Sequence, residues 1–191
     1  MELWIAIGVV ALLLIYVIAT YNRLVSYRAR TEEAWSDVKV QMKRRYDLVP
    51  NLVETVKGYA AHESETLEAV VQARNRAIAA DGAPAEQAGA ESALSGALQG
   101  IFALAESYPD LKANQNFLQL QHDLTDTENR VNSARRFYNG SVKEMNVAIR
   151  SFPSNLLAGA FHFEEAHYFE LDASEADAAR QLVQVDFKPQ S

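Results

Sequence analysis

Residues 43–63 read KRRYDLVPNLVETVKGYAAHE. Met42, Val49, Leu52, Val56 and Tyr59 keep the alternating steps of three and four that mark one face of a helix, yet Pro50 sits in the middle of the run. A proline inside a helix removes one backbone hydrogen bond and crowds the preceding turn. Two readings follow. The unbroken phase across Pro50, with Arg45 also on the seam, favours one helix kinked at the proline. Lys43, Arg44 and Arg45 as partners of a helix C-terminus, Asp47 as an N-cap and Pro50 in the following first turn would suit two helices. Arg28, Arg45 and Glu63 fall on the seam, where their long stems are expected to lie along its edge with the charges in water, a reading preferred over a buried ion pair.

Working outward, the seam begins with Trp35 and Val38 and resumes at Val70, Ala73 and Ala77 before stopping at AIAADGAPAEQ, residues 77–87. Asp81, Gly82 and Pro84 there combine a stop, a turn residue and a proline suited to a first helical turn. The next helix carries Gly89, Gly96 and Gly100 beside Ala93 and Ala97, which predicts close helix packing on a face of small residues. At ESYPDLKANQNF, residues 106–117, Pro109 disfavours helix at Tyr108, while Ser107 and Asp110 form a weak capping-box spacing. A long helix is expected from 109 to 152, with Leu120, Leu124, Thr127, Val131, Ala134, Tyr138, Ser141, Met145, Ala148 and Phe152 on its seam and Pro153 closing it.

Residues 3–21, LWIAIGVVALLLIYVIATY, hold no Asp, Glu, Lys, Arg or His and would span roughly 28 Å as a helix, about one hydrocarbon core. This reads as a membrane anchor, with Trp4, Tyr16 and Tyr21 at the interfaces. A cleaved signal ending near VIA, residues 17–19, is the competing reading; the absence of Lys or Arg before the run speaks against it. Arg23, Arg28, Arg30, Lys39 and Lys43–Arg45 outnumber Glu32, Glu33 and Asp37 after the run, so a short N-terminus outside and a cytoplasmic bundle are expected.

The chain is thus expected to be all-α: an antiparallel up-and-down bundle of three to four long helices, the first kinked or broken at Pro50. Its parts are an anchor at 1–21, the bundle at 22–158 and an acidic, aromatic tail at 159–191. Phe161, Phe163, Tyr168 and Phe169 should fold back on the bundle, and Ser174–Leu182 is expected as one short helix.

A net charge of −7 argues against a nucleic-acid partner, and the absence of cysteine removes disulfides, thiolate zinc sites and cysteine nucleophiles. His162, Glu164, Glu165 and His167 in HFEEAH have a metal-ligand composition, but histidines five apart do not share a helix face and would point to opposite sides of a strand. No nucleophile elbow or phosphate-binding glycine loop is present. No catalytic residue, cofactor or metal is therefore expected. Surface for partners is expected at the proline junctions: Arg44, Arg45, Tyr46, Asp47, Pro50 and Asn51; Tyr108, Pro109 and Asp110; Phe152, Pro153 and Asn155. A metal-dependent hydrolase using the tail and an anionic-lipid-binding module at 23–45 stand as alternatives.

YNRLV at 21–25, EEAWSDVKVQMKRRYDLVPNLVETVKGYAAHE at 32–63, AESYPDLKANQNFLQLQHDLTDTENRV at 105–131, ARRFYNGSVKEMNVAI at 134–149 and FPSNLLA at 152–158 together resemble the bacterial LemA family. The resemblance covers nearly the whole chain in order. It implies a helical bundle behind one N-terminal membrane helix in the bacterial inner membrane, no enzyme activity, and relatives associated with membrane organelles. With the residue-based reading, it leads to the expectation of a non-enzymatic scaffold that binds unidentified proteins or its own copies. The HFEEAHYFE region departs from the family in being more acidic.

Overall fold

In the computed structural model, which describes residues 1–80 and 82–170, α1 runs from Glu2 to Lys57 without interruption. After it come α2 (Ser64–Ala79), α3 (Pro84–Ala105), the single turn α4 (Pro109–Lys112), α5 (Gln115–Arg150) and α6 (Ser154–Ala160), with no strand among the described residues. Asp81 and the short helix expected at 174–182 lie outside the described residues.

The helix continues through Pro50, so the two-helix reading of that site is wrong. Asp47 is no N-cap: its carboxylate accepts from Lys43 Nζ at 3.0 Å, one turn back. The basic triplet therefore ends no helix. The break comes instead at 58–63, where Gly58 follows Lys57 and the chain turns into α2. Lys in the last turn and glycine just beyond it are ordinary stop signals, hidden here by the apolar spacing from Val56 to Tyr59. Tyr59 is exposed and Ala60 is the buried residue.

The long fifth helix begins at Gln115, not at Pro109. Asn114 caps it, its Oδ1 accepting from the Phe117 N–H at 3.0 Å, which satisfies one of the free donors of the first turn.

Four long helices run up, down, up and down. The α1/α5 pair is antiparallel in constant register, from Arg30–Glu144 at 2.9 Å to Arg45–Glu128 at 2.6 Å. α2 returns from the far end, where Tyr108 Oη donates to Glu63 Oε1 at 2.9 Å, to the level of Tyr46, whose Oη lies near the Ala77 carbonyl. α3 then leads out again, bringing Phe102 against Phe117. One apolar core runs through Val38, Met42, Val49, Leu52, Val70, Leu94, Ile101, Phe117, Leu124 and Val142.

Nearer the apolar segment, the C-terminal stretch replaces α2 and α3 as cover. Trp35 meets Tyr138 and Phe169, and two asparagines two turns apart on α5 hold the stretch by its backbone. Asn146 donates to the Ala166 carbonyl and accepts from its N–H, both at 2.9 Å, and Asn139 makes the same pair with Phe169. The spacing matches: seven helical residues rise about 10.5 Å, as three extended residues span about 10 Å. Tyr21 also stacks edge-on against Phe161 and Phe163.

Close packing at the α3 glycines is not observed. A β-carbon built at Gly89, Gly96 or Gly100 meets nothing within 4 Å. Each glycine costs helix stability without a contact to show for it, so Gly96→Ala and Gly100→Ala are each expected to stabilise the domain by about 0.5–1 kcal/mol in urea unfolding. A loss of stability would show that this face is filled in the assembled protein.

Candidate functional site

A connected set of buried polar groups lies inside the bundle, one turn before Pro50. Arg45 is only 3% exposed, so the expectation that its charge reaches water is wrong. Its Nη1 donates to Glu91 Oε2 at 3.2 Å, and its Nη2 donates to Ser95 Oγ at 2.8 Å and pairs with Glu128 at 2.6 Å. The next residue is equally engaged. Tyr46 Oη donates to the other oxygen of Glu91 and accepts from Gln87 Nε2 at 3.0 Å, while Gln87 Nε2 also reaches the Ala77 carbonyl at 3.0 Å. Arg28, by contrast, is exposed and pairs with Glu32.

Pro50 brings in one further contact. Lacking an N–H, it leaves the Tyr46 carbonyl, four residues back, without its helical partner. Arg74 of α2 fills the vacancy, its Nε donating to that carbonyl at 2.8 Å. The proline thus turns a helical carbonyl into a docking point for the neighbouring helix.

Arg45 and Tyr46 from α1, Arg74 and Ala77 from α2, Gln87, Glu91 and Ser95 from α3, and Glu128 from α5 form one node joining all four long helices. Burial pushes the Glu91 carboxyl above the ordinary carboxylate range, against the hydrogen bond from Tyr46, the Arg45 charge and the bond from Gln87. Burial, and then the Glu91 charge, pushes the Tyr46 phenol up. Sliding α1, α3 or α5 would part the buried Arg45 or Glu91 charge from a partner, and sliding α2 would break the bonds at the Tyr46 and Ala77 carbonyls, so the node pins their register. A cleft of about 250 Å³ beside it is lined by Glu91, Ser95, Gln99, Glu128, Asn132 and Arg135.

The residues read as junctions do not converge. Arg45 and Tyr46 are buried members of the node, whereas Arg44, Asp47, Pro50 and Asn51 face outward beside it. Tyr108, Pro109 and Asp110 lie at the far end of the bundle, where hydrogen bonding to Glu63 raises the Tyr108 phenol pKa. Phe152, Pro153 and Asn155 lie at the opposite end. Arg45 stands 24 residues beyond Tyr21 on a continuous helix, about 36 Å, which keeps the basic triplet away from any bilayer crossed by residues 3–21. In the tail, Glu165 is drawn below the ordinary carboxylate range by its hydrogen bonds to Arg150, and His167 offers its carbonyl to Tyr138. Among the described residues no three His, Cys, Asp or Glu side chains stand together as a metal site.

Glu91, Gln87, Glu128 and Arg74 were not singled out from the sequence. The signal was present: Gln87 and Glu91 sit on the same three-four seam of α3 as Leu94, Leu98 and Ile101. A charge on each of two facing seams marks a buried pair.

This arrangement defines a class: an all-α, up-and-down bundle whose first helix also carries a segment long and apolar enough to cross a membrane. The LemA family profile matches residues 34–187, and the chain belongs to the LemA family. Similar proteins include "Magnetosome protein MamQ 2" of Paramagnetospirillum magneticum, 25% identical over 175 residues, covering 78% of this chain and 64% of that protein. "Magnetosome protein MamQ" of Magnetospirillum gryphiswaldense is 26% identical over 195 residues, covering 88% and 72%. "Protein LemA" of Metamycoplasma hominis is 27% identical over 165 residues, covering 81% and 74%. The chain thus spans just under two thirds of the length of the first of these relatives.

Proposed function

We propose that this protein is a membrane-anchored, non-enzymatic interaction protein of the LemA family that presents its bundle to protein partners or to its own copies. The observation that carries the reading is the continuity of α1. Its apolar surface is exposed along residues 3–15, and Leu24, only three residues after Tyr21, is already buried in the bundle. A bundle mounted on its own membrane helix without a linker is held at a fixed height and orientation, which suits a scaffold.

Arg23, Arg28 and Arg30 follow the apolar segment directly, and the positive-inside bias supports a bundle in the cytoplasm of a bacterium, with the anchor in the inner membrane. The acid–base groups of the buried node are consumed by one another, which supports a structural role over a catalytic one. Relatives named as magnetosome proteins are compatible with work at a membrane.

Chemical crosslinking in native membranes followed by mass spectrometry tests this reading. Defined homo-oligomers or a recurrent protein partner are expected. A chain that remains monomeric and uncrosslinked at native abundance would count against it.

A further inference from the structure

Phe152 closes the predicted α5 seam and should be buried; it is instead 80% exposed. It has company. Leu156 is 63% exposed and Phe161 50%, and residues 151–161, SFPSNLLAGAF, contain no charged side chain. The neighbouring charge of Arg150 is bound by Glu165.

The register of the bundle sets where this patch stands. Arg30 on α1 meets Glu144 on α5, and six residues further along the antiparallel register brings Arg150, the last residue of α5, level with Leu24, so that Phe152, two residues beyond the helix end, stands close to the apolar segment. Direct contacts agree. Leu24 packs with Ala148 and Ala158, and the Phe161 ring lies 4.9 Å from that of Tyr21. The patch therefore continues the exposed apolar surface of residues 3–21 sideways, at the depth where aromatic rings favour an interface between lipid and water.

We infer that Phe152, Leu156 and Phe161 form a foot that inserts into the bilayer interface beside the anchor, so that α6 is a second, non-spanning membrane contact. The occupant is a lipid surface. Charge depletion and continuity with the span argue for it, and the inference rests on the anchoring reading above.

The absence of cysteine permits a direct test on the full-length chain. Asn155→Cys and Gly159→Cys place a fluorophore on exposed positions of α6, Asn116→Cys one at the far end, and Ile15→Cys one in the middle of the apolar segment. The protein is reconstituted in vesicles of phosphatidylethanolamine and phosphatidylglycerol whose acyl chains carry a nitroxide quencher, near the glycerol for the probes at 155, 159 and 116 and near the middle of the chain for the probe at 15. Quenching at 155 and 159 is expected to exceed that at 116 several-fold, and to fall to the level at 116 when Phe152→Ser and Leu156→Ser are added. Quenching at 15 with none at 155 and 159 overturns the foot and leaves the anchor standing, whereas no quenching at 15 overturns the anchor itself. Quenching at 155 that survives the two serines overturns the role of the apolar patch. Disulfide-linked dimers formed by the unlabelled Asn155→Cys protein when a copper–phenanthroline oxidant is added, with no quenching of the labelled protein, would show that a second copy covers the face and overturn the lipid assignment.

Discussion

Replacing Arg45 by methionine is expected to cost the folded domain about 3–5 kcal/mol at neutral pH, the usual penalty for stripping one partner from a buried ion pair. Methionine fills much of the space, but Glu91 keeps a carboxylate almost wholly removed from water. Glu128 is partly exposed and recovers hydration more easily. The sign of the pH dependence follows from Glu91. Burial raises its pKa in the folded chain above the unfolded value of about 4.3, so the stability linked to its protonation is complete below that pH and is lost as pH rises through the folded value. Removing Arg45 deletes one of the influences holding that pKa down. The penalty should therefore be small near the unfolded pKa and widen toward neutrality, which urea midpoints at a series of pH values will read. Arg45→Met combined with Glu91→Gln should recover most of the loss and flatten the profile. Arg45→Lys should not rescue, because one ammonium cannot divide two nitrogens among Glu91, Ser95 and Glu128 as the guanidinium does. A cost for Arg45→Met below about 1 kcal/mol, the range of solvated pairs, would mean that the charges are not desolvated.

The second large effect belongs to the proline joint. Arg74→Met is expected to cost about 1–3 kcal/mol, because it leaves the Tyr46 carbonyl with neither its helical N–H nor its substitute donor. Pro50→Ala restores the helical donor. It should stabilise by itself, with the interior proline penalty of about 3 kcal/mol as the upper limit, since Arg74 already offsets part of that penalty. In the Pro50→Ala background, Arg74→Met should lose more than half its effect, a coupling measurable by a double-mutant cycle. Equal costs in both backgrounds would show that Arg74 does not stand in for the missing bond.

Most of the bundle was legible because its cause is periodic. Val38, Met42, Val49, Leu52, Val70, Leu124 and Val131 lie where three-four spacing puts them, and a buried stripe is what that spacing encodes. Errors arose where spacing and local chemistry disagreed. At Pro50 the favoured reading of one helix holds, because the orphaned Tyr46 carbonyl finds a donor on a helix that is distant in sequence, whereas the stop at Gly58 was masked by the apolar spacing from Val56 to Tyr59. Arg45 looked like a rim residue because its partners lie 46 and 83 positions later, and no local pattern pairs them. Phe152 obeys the seam but meets no helix, since the seam outruns the bundle at the end where the apolar segment begins. Asn139 and Asn146 carried no apolar signal, although their spacing of seven fits an extended backbone lying along α5.

One unbroken helix joins the apolar segment to the bundle. Amide hydrogen exchange of the full-length chain in lipid vesicles tests it at residues 22–34, between the apolar stretch and the first residues matched by the family profile. Slow exchange through that interval, continuous with the protection of residues 35–45, is the expected result. Rapid exchange there beside a protected bundle would mean a flexible tether, and the fixed mounting on which the proposed scaffold role depends would be wrong.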